Sequence, residues 1–209
     1  MQGNQSELSQ RERNRVETWN AVHEAASSIA LDDGLAAATI DAIAARAGVS
    51  RRTFFNYFPT KEDAVLGTRP PVVGEGDIER FRASGEDLLT RTVELLAAVL
   101  TTSFVSGSMA RRRVVVAARP ELRERVMQHV SDAERLVTEV LHERIAEGVP
   151  SAEIDALPDA ERSPRALIML AGVITKFAFT AYQDAGRGDL EPHLADSIST
   201  FRKVVDATR

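Results

Sequence analysis

Residues 39–63 read TIDAIAARAGVSRRTFFNYFPTKED. Thr39 is placed to cap a short helix whose apolar face is Ile40, Ile43, Ala44 and Ala47, and Gly48 supplies the positive φ that ends it. Ser50 then caps a second helix. Its inward residues are Phe54 and Phe58, which leaves Arg51, Arg52, Thr53, Phe55, Asn56 and Tyr57 on the first turns and outer face. Two short helices joined by a glycine turn, the second polar outside, have the spacing of a helix-turn-helix whose second helix meets base edges and phosphates in a DNA groove. Pro59 cannot continue that helix, and Thr60 with Asp63 three residues on forms a capping box for the next one.

The residues Ile40-Asp41-Ala42-Ile43-Ala44, Ala47-Gly48-Val49-Ser50, Thr53-Phe54-Phe55-Asn56-Tyr57-Phe58 and Lys61-Glu62 resemble the TetR family of tetracycline-repressor-like regulators. The resemblance covers about residues 10–66, and it turns on the aromatic run and the Lys-Glu pair more than on the bare helix-turn-helix spacing. It implies a DNA-binding transcriptional regulator, a repressor released from a palindromic operator by a small effector. With the outward face of the second helix, it points to Thr39, Arg51, Arg52, Thr53, Phe55, Asn56, Tyr57 and Lys61 as DNA contacts. The bland alternative for Arg51 and Arg52 is that they solvate a helix start.

The whole chain carries a net charge of −5, although phosphate neutralisation usually dominates DNA affinity. Distribution matters more than the sum. Between Thr39 and Asp63 the cations are Arg46, Arg51, Arg52 and Lys61, while Glu62 and Asp63 sit in a helix first turn where the dipole favours them. Residues 1–8, expected to be flexible, contain no Lys or Arg and so offer no basic minor-groove arm; Arg11, Arg13 and Arg15 are the candidates for flanking phosphates.

At 209 residues with 44% hydrophobic content, the chain is long enough to bury a substantial core in one or two domains. It has no cysteine, which removes disulfides, thiolate zinc sites and cysteine nucleophiles and fits a reducing compartment. The first residues have no apolar leader and no later run is uninterrupted enough to predict a membrane helix, so the expected location is the cytoplasm. His23, His129, His142 and His193 are scattered, without an HExxH pair, and no Walker loop, GxSxG elbow or dinucleotide fingerprint occurs. The expectation is therefore no enzyme, no metal and no cofactor. A helical protein-interaction adaptor that does not bind DNA is the alternative, and it leaves Gly48 to Tyr57 unexplained.

Outward from the motif the pattern is helical throughout, so the expected fold is all-α. A three-helix N-terminal DNA-binding domain at 1–66 is joined by a fourth helix to a helical ligand-binding and dimerisation domain at 67–209. Ser9 to Glu12, with Leu8 as a staple, predicts a first helix from about residue 10 to 31–34, with Val16, Trp19, Val22, His23, Ala26, Ile29 and Ala30 inward. The break falls at GTRPPVVGEGD, 67–77, followed by a brief helix at about 78–83. Further helices are predicted at about 86–104, 109–118 and 120–147, the last carrying Leu122, Val126, Val130, Ala133, Val137, Val140 and Leu141 on one side. Residues 148–162 read as a polar connection, and Ser163-Pro164 as the start of a helix that is apolar on nearly every face from Leu167 to Tyr182.

A helix apolar all round must be covered on opposite sides. Leu167, with the stripe Leu194, Ile198, Phe201 and Val205 on the last helix, is the predicted seam of a homodimer built from two helices of each subunit. The resemblance further implies an effector cavity in the C-terminal body, for which Phe104, Val105, Met109, Leu170, Val173, Ile174 and Phe177 are candidate lining, although such residues at helical spacing are more often core. Arg111-Arg112-Arg113 and Arg119-Pro120-Glu121-Leu122 resemble the acyl-coenzyme A-responsive, mycofactocin-regulator-like branch, which implies an anionic headgroup near Arg112. The expected partners are thus double-stranded DNA, a second copy of the chain, and a small apolar or acyl-CoA-like effector, with no membrane.

Overall fold

The computed structural model describes residues 10–105, 108–146, 159, 162–185 and 189–208, and among them every regular element is helical. In chain order these are α1 (Gln10–Asp32), α2 (Ile40–Ala47), α3 (Arg51–Tyr57), α4 (Lys61–Leu66), α5 (Glu75–Ala83), α6 (Leu88–Thr102), α7 (Met109–Ala118), a 3-10 turn at Pro120–Leu122, α8 (Arg123–Ala146), α9 (Arg162–Ala185) and α10 (Leu190–Ala207). The proposed staple at Leu8 and cap at Ser9, and most of the connection at 148–162, lie outside the described residues.

The chain forms two compact units. The first is residues 1–69 together with 104–127, and the second is 70–103 together with 128–209. The N-terminal unit is thus larger than the span 1–66 read from the sequence, because α7 and the first turn of α8 fold with it.

In the first unit α1 packs on α2, α4 and α7. Trp19, Val22, Ala26, Ile29 and Ala30 are buried as their spacing predicts, whereas Val16 is 40% exposed. Phe54, Phe58 and Ile43 are fully buried beneath them, with ring centroids 6.3 Å apart for Trp19–Phe58 and 6.2 Å for Phe54–Phe58. Removing the Phe58 side chain from such a site costs about 3–5 kcal/mol, more than any cap in this unit contributes.

Two buried polar locks fix α4 in this unit. Asp63 is 3% exposed, and its oxygens accept from Arg125 Nε and Nη2, both at 2.8 Å, from Thr60 Oγ1 at 2.7 Å and from Thr68 Oγ1 at 3.1 Å. Every lone pair that burial strips of water is thereby used. On the other side His23 Nδ1 donates to the carbonyl of Ala64 at 2.9 Å, in the tautomer that bond requires. The imidazole lies over Gly67, whose φ is +68°; a Cβ there would meet the ring at 2.9 Å, so close approach and positive φ both demand glycine. An isolated antiparallel bridge pairs Thr68 with Phe104, and Val105 N–H donates to Gly67 O at 2.8 Å.

Arginines of α7 and its C-terminal end complete the unit. Arg111 reaches Glu24 at 3.7 Å and Ser28 Oγ at 3.4 Å, and Arg112 stacks 3.6 Å over the Phe104 ring. Arg119 donates to the carbonyls of Ala30 at 2.8 Å and Leu31 at 3.1 Å, covering acceptors that the end of α1 leaves without partners.

In the second unit α6 packs on α5, α9 and α10, and α9 packs on α10. Asp87 caps α6 and also takes Arg202 of α10, which donates to Thr90 Oγ1 at 2.9 Å as well. Buried Ser103 and His129 bond at 2.8 Å. The start of α9 differs from the sequence reading: Asp159 rather than Ser163 accepts the Arg162 N–H, at 2.7 Å, and Ser163 Oγ accepts in return from the Asp159 N–H. Pro164 tolerates any place in a helix's first turn, so it does not by itself locate the cap. Ile168, Ala171, Ile174 and Ala178 form the buried face of α9, while Met169, Val173 and Phe177 are 63%, 53% and 47% exposed. By length and composition alone α9 is apolar enough to cross a membrane, whereas the sequence reading expected no such run.

Replacing Arg125 with Ala should leave Asp63 half-partnered in a dry site and lower the stability of the first unit by about 2–3 kcal/mol. Urea unfolding followed by Trp19, the single tryptophan, reads this unit alone. A second expectation concerns pH. Burial, the largest influence, lowers the His23 pKa below its ordinary 6.5, with Arg112 and Arg111 adding to the shift. The folded state therefore holds a neutral ring at pH values where the unfolded chain begins to bind a proton, so this contribution is intact above about 6.5 and is lost as pH falls below it. Between pH 7.5 and 5.5 the wild type should lose more stability than His23→Gln does.

Candidate nucleic-acid interface

Side-chain oxygens set the ends of the reader pair. Thr39 Oγ1 accepts the Ala42 N–H at 3.2 Å, and Ser50 Oγ accepts the Thr53 N–H at 3.0 Å. Gly48 at φ +69° closes α2, its N–H turned to the carbonyls of Ala44 and Ala45. A residue with a Cβ would be strained in that conformation, and α3 would leave α2 at another angle.

Within α3 Phe54 is the one buried residue. Arg51, Arg52, Phe55 and Asn56 are exposed, and Thr53 and Tyr57 are half-buried. Phe55 stands edge-on to Phe54 with centroids 5.5 Å apart and remains 49% exposed, a large apolar side chain offered to solvent beside three polar ones. Seven residues that bury only Phe54 make a helix held by its caps and its neighbours, which frees its outer surface for another partner.

Of the eight residues expected to meet DNA, six lie on α3, Arg51, Arg52, Thr53, Phe55, Asn56 and Tyr57, while Thr39 stands at the start of α2. Thr39 is exposed but spends its hydroxyl on the cap. Lys61, at the start of α4, is half-buried, and its Nζ donates to the Leu35 carbonyl at 3.0 Å. Arg51 Nη1 sits 2.6 Å from both carboxylate oxygens of Asp41. That partnership was not legible in the sequence; nothing periodic links positions ten apart on two different helices, and a carbonyl such as that of Leu35 leaves no mark in sequence at all.

The candidate effector residues do not gather. Phe104, Val105, Met109 and Arg112 belong to the first compact unit, and Leu170, Val173, Ile174 and Phe177 to the second. Val105 and Ile174 are buried, Phe104 and Met109 half-buried, and Leu170, Val173 and Phe177 exposed. In the second unit a cleft of about 720 Å³ runs between α6 and α10, with Ala97, Ala98, Leu194 and Ile198 along its apolar part and Glu94, Glu191, Arg202 and Lys203 among its polar groups. Burial, the largest influence, raises the pKa of Glu94, and Glu86 and Asp87 add to it. The cleft contains none of the candidate effector residues. Of the candidate dimer residues, Leu194 and Ile198 are buried within the unit, Leu167 and Phe201 are half-buried, the latter edge-on to Phe177 at 5.7 Å, and Val205 is 46% exposed. Among the described residues no group of three or more His, Asp or Glu is placed to hold a metal ion.

Residues 23–66 match the family model for bacterial regulatory proteins of the tetR family. The helix-turn-helix is of the tetR type. No curated protein matches the chain. Similar solved structures include a protein described as a tetR family transcription regulator from Shewanella sp. PV-4, at 18% identity over 88% of this chain and 95% of that one, with a TM-score of 0.37. A TetR transcriptional regulator from Rhodococcus sp. RHA1 is 17% identical over 92% of this chain and 94% of that one, with a TM-score of 0.35. At such values the functional reading rests on the tetR-type segment and its own geometry.

Proposed function

We propose that the protein is a homodimeric transcriptional repressor that binds a palindromic operator through α3 and is released by a small effector held in its second unit. The observation that carries the DNA half of this reading is the exposed face of α3, capped at Ser50, set by Gly48 and backed by Phe54. An adaptor that avoids DNA would have no use for that face, and the match over residues 23–66 supports DNA binding independently. A repressor of this kind acts in the cytoplasm, and it is not an enzyme.

The dimer half rests on α9. Met169, Leu170, Val173 and Phe177 form an exposed apolar face on that helix, and Val204 and Val205 extend the apolar surface on α10. Isolated exposed apolar residues need no explanation, but a continuous helical face of this kind is what a second copy would cover. Two heads in a dimer would also serve two half-sites one DNA turn apart. Relative to the sequence reading, the seam moves from Leu194 and Ile198, which the unit's own core consumes, to the outward face of α9.

For the effector we retain a small, mainly apolar molecule, with the cleft between α6 and α10 as the space available to it. The acyl-CoA reading finds no support in the arginine run, since Arg111 and Arg112 are engaged with Glu24, Ser28 and Phe104. Release of DNA requires the effector to bind the non-operator state more tightly, because equal affinity for both states shifts nothing.

On a DNA fragment selected by the wild-type protein, the double variant Arg52→Ala, Tyr57→Ala should bind at least about tenfold more weakly at fixed salt while remaining folded. Unchanged affinity in a gel-shift titration would remove α3 as the reader. In light scattering at micromolar concentration the wild type should be a dimer and Val173→Glu a folded monomer, the single charge being enough to oppose burial of that face. A monomeric wild type would end the dimer reading.

A further inference from the structure

We propose that Arg52 and Asn56 alone read base identity, taking a guanine and an adenine within two base steps of each other in each half-site, while Arg51 and Lys61 brace the reader. The inference rests on the DNA-binding reading above and concerns which bases that site recognises.

The geometry of α3 separates its polar residues. At about 100° per residue, and with buried Phe54 taken as the inward direction, Asn56 and Arg52 fall about 160° from it on either side of the outermost line. Thr53 and Phe55 lie on the flanks, at about 100°, and Arg51 and Tyr57 turn back toward the body, at about 60°. The exposure agrees for Tyr57, which is half-buried. Arg51 is exposed but leans to Asp41 of α2, which meets its Nη1 through both oxygens.

Chemistry narrows the choice further. Reading a base pair in the major groove takes paired donors and acceptors: a guanidinium matches guanine O6 and N7, and a carboxamide matches adenine N6 and N7. Phe55 has no such groups, the Thr53 hydroxyl is 2.8 Å from Ser50 Oγ inside the cap, and the Lys61 ammonium is turned to the Leu35 carbonyl. Arg52 and Asn56 are the two outward side chains left with a fork of polar atoms. As an i, i+4 pair their Cβ atoms are about 5–6 Å apart, which spans between one and two base steps of roughly 3.4 Å.

Arg51 has a different task. The Asp41 pair is exposed on both sides, 58% and 68%, so it adds little to stability, but it ties the first turn of α3 to the first turn of α2 across the glycine turn. Lys61 similarly ties the start of α4 to the loop before α2. Both cations remain available to the phosphate field as charges, without carrying sequence information.

The test is selection from a library of random double-stranded DNA by the full-length protein, repeated with three variants. The wild-type consensus should contain, in each half-site, a guanine and an adenine within two base steps. Arg52→Gln should convert the guanine preference to adenine, because glutamine presents the carboxamide fork, and Asn56→Ala should reduce the preference at the adenine position by roughly 5- to 150-fold. Arg51→Ala should leave the consensus unchanged and weaken all sequences alike. A consensus unaltered by Arg52→Gln and Asn56→Ala, or one redrawn by Arg51→Ala, would overturn the assignment while leaving DNA binding intact. Failure of the wild type to enrich any sequence would instead overturn the regulator reading and this assignment with it.

Discussion

The first unit depends on one buried carboxylate. Asp63 lies in the first turn of α4, where it completes the cap with Thr60, and it also receives Thr68 just beyond that helix and the guanidinium of Arg125 in the first turn of α8. A helix of six residues could not persist by propensity, since its nucleation cost is not recovered over so few turns. Here α4 is held at its start by Asp63, along its length by buried Ala64, Val65 and Leu66, and at its end by His23 over Gly67. Phe54 and Phe58 pack into the same core, so the orientation of α3 is inherited from that set of contacts.

The arginines of α7 belong to this same logic. Three successive arginines on a helix invite the idea of an anion site, yet burial and stacking explain two of them. The Arg112 guanidinium is buried against Phe104, and burial lowers its pKa to about 10, still far enough above neutrality to stay charged. A weakly hydrated planar cation on an aromatic face tolerates such a place where an ammonium would not. Arg111 and Arg119 meanwhile satisfy Ser28 and the carbonyls at the end of α1. The result is that α7 belongs to the DNA-binding unit, which the interval of some forty residues between α4 and α7 in sequence conceals.

What the sequence made legible was local. The caps at Thr39, Ser50 and Thr60, the glycine turn at Gly48 and the inward Phe54 and Phe58 all follow from rules that act within four residues. The partners were not legible. Periodicity places Leu194 and Ile198 on an apolar face of α10 but cannot say whether α6 and α9 or a second chain covers it, and in the structure they are buried inside their own unit. The pairing of Asp63 with Arg125 joins residues 62 apart, and that of Arg202 with Asp87 residues 115 apart, so no local pattern encodes either.

The acidic chain and its cation-poor reader impose a condition on how such a protein could select a site. With Asp41 beside Arg51, the exposed surface of α3 carries less net positive charge than its two arginines alone would give, which would reduce the counterion-release part of a DNA affinity. Non-specific binding by a single head would be correspondingly weaker, and more of the discrimination would fall on base-edge contacts worth about 1–3 kcal/mol each. A single head with two such contacts cannot compete against the excess of non-specific DNA, whereas two heads joined through α9 would double the specific term for one association. The same arithmetic limits the effector. To move the population from 1:99 to 99:1 it must prefer the released state by about 5.5 kcal/mol, a demand that weakens as the free energy of operator binding becomes smaller. Were an effector to act as proposed, weak electrostatic attachment to the operator would lower the preference for the released state that it needs.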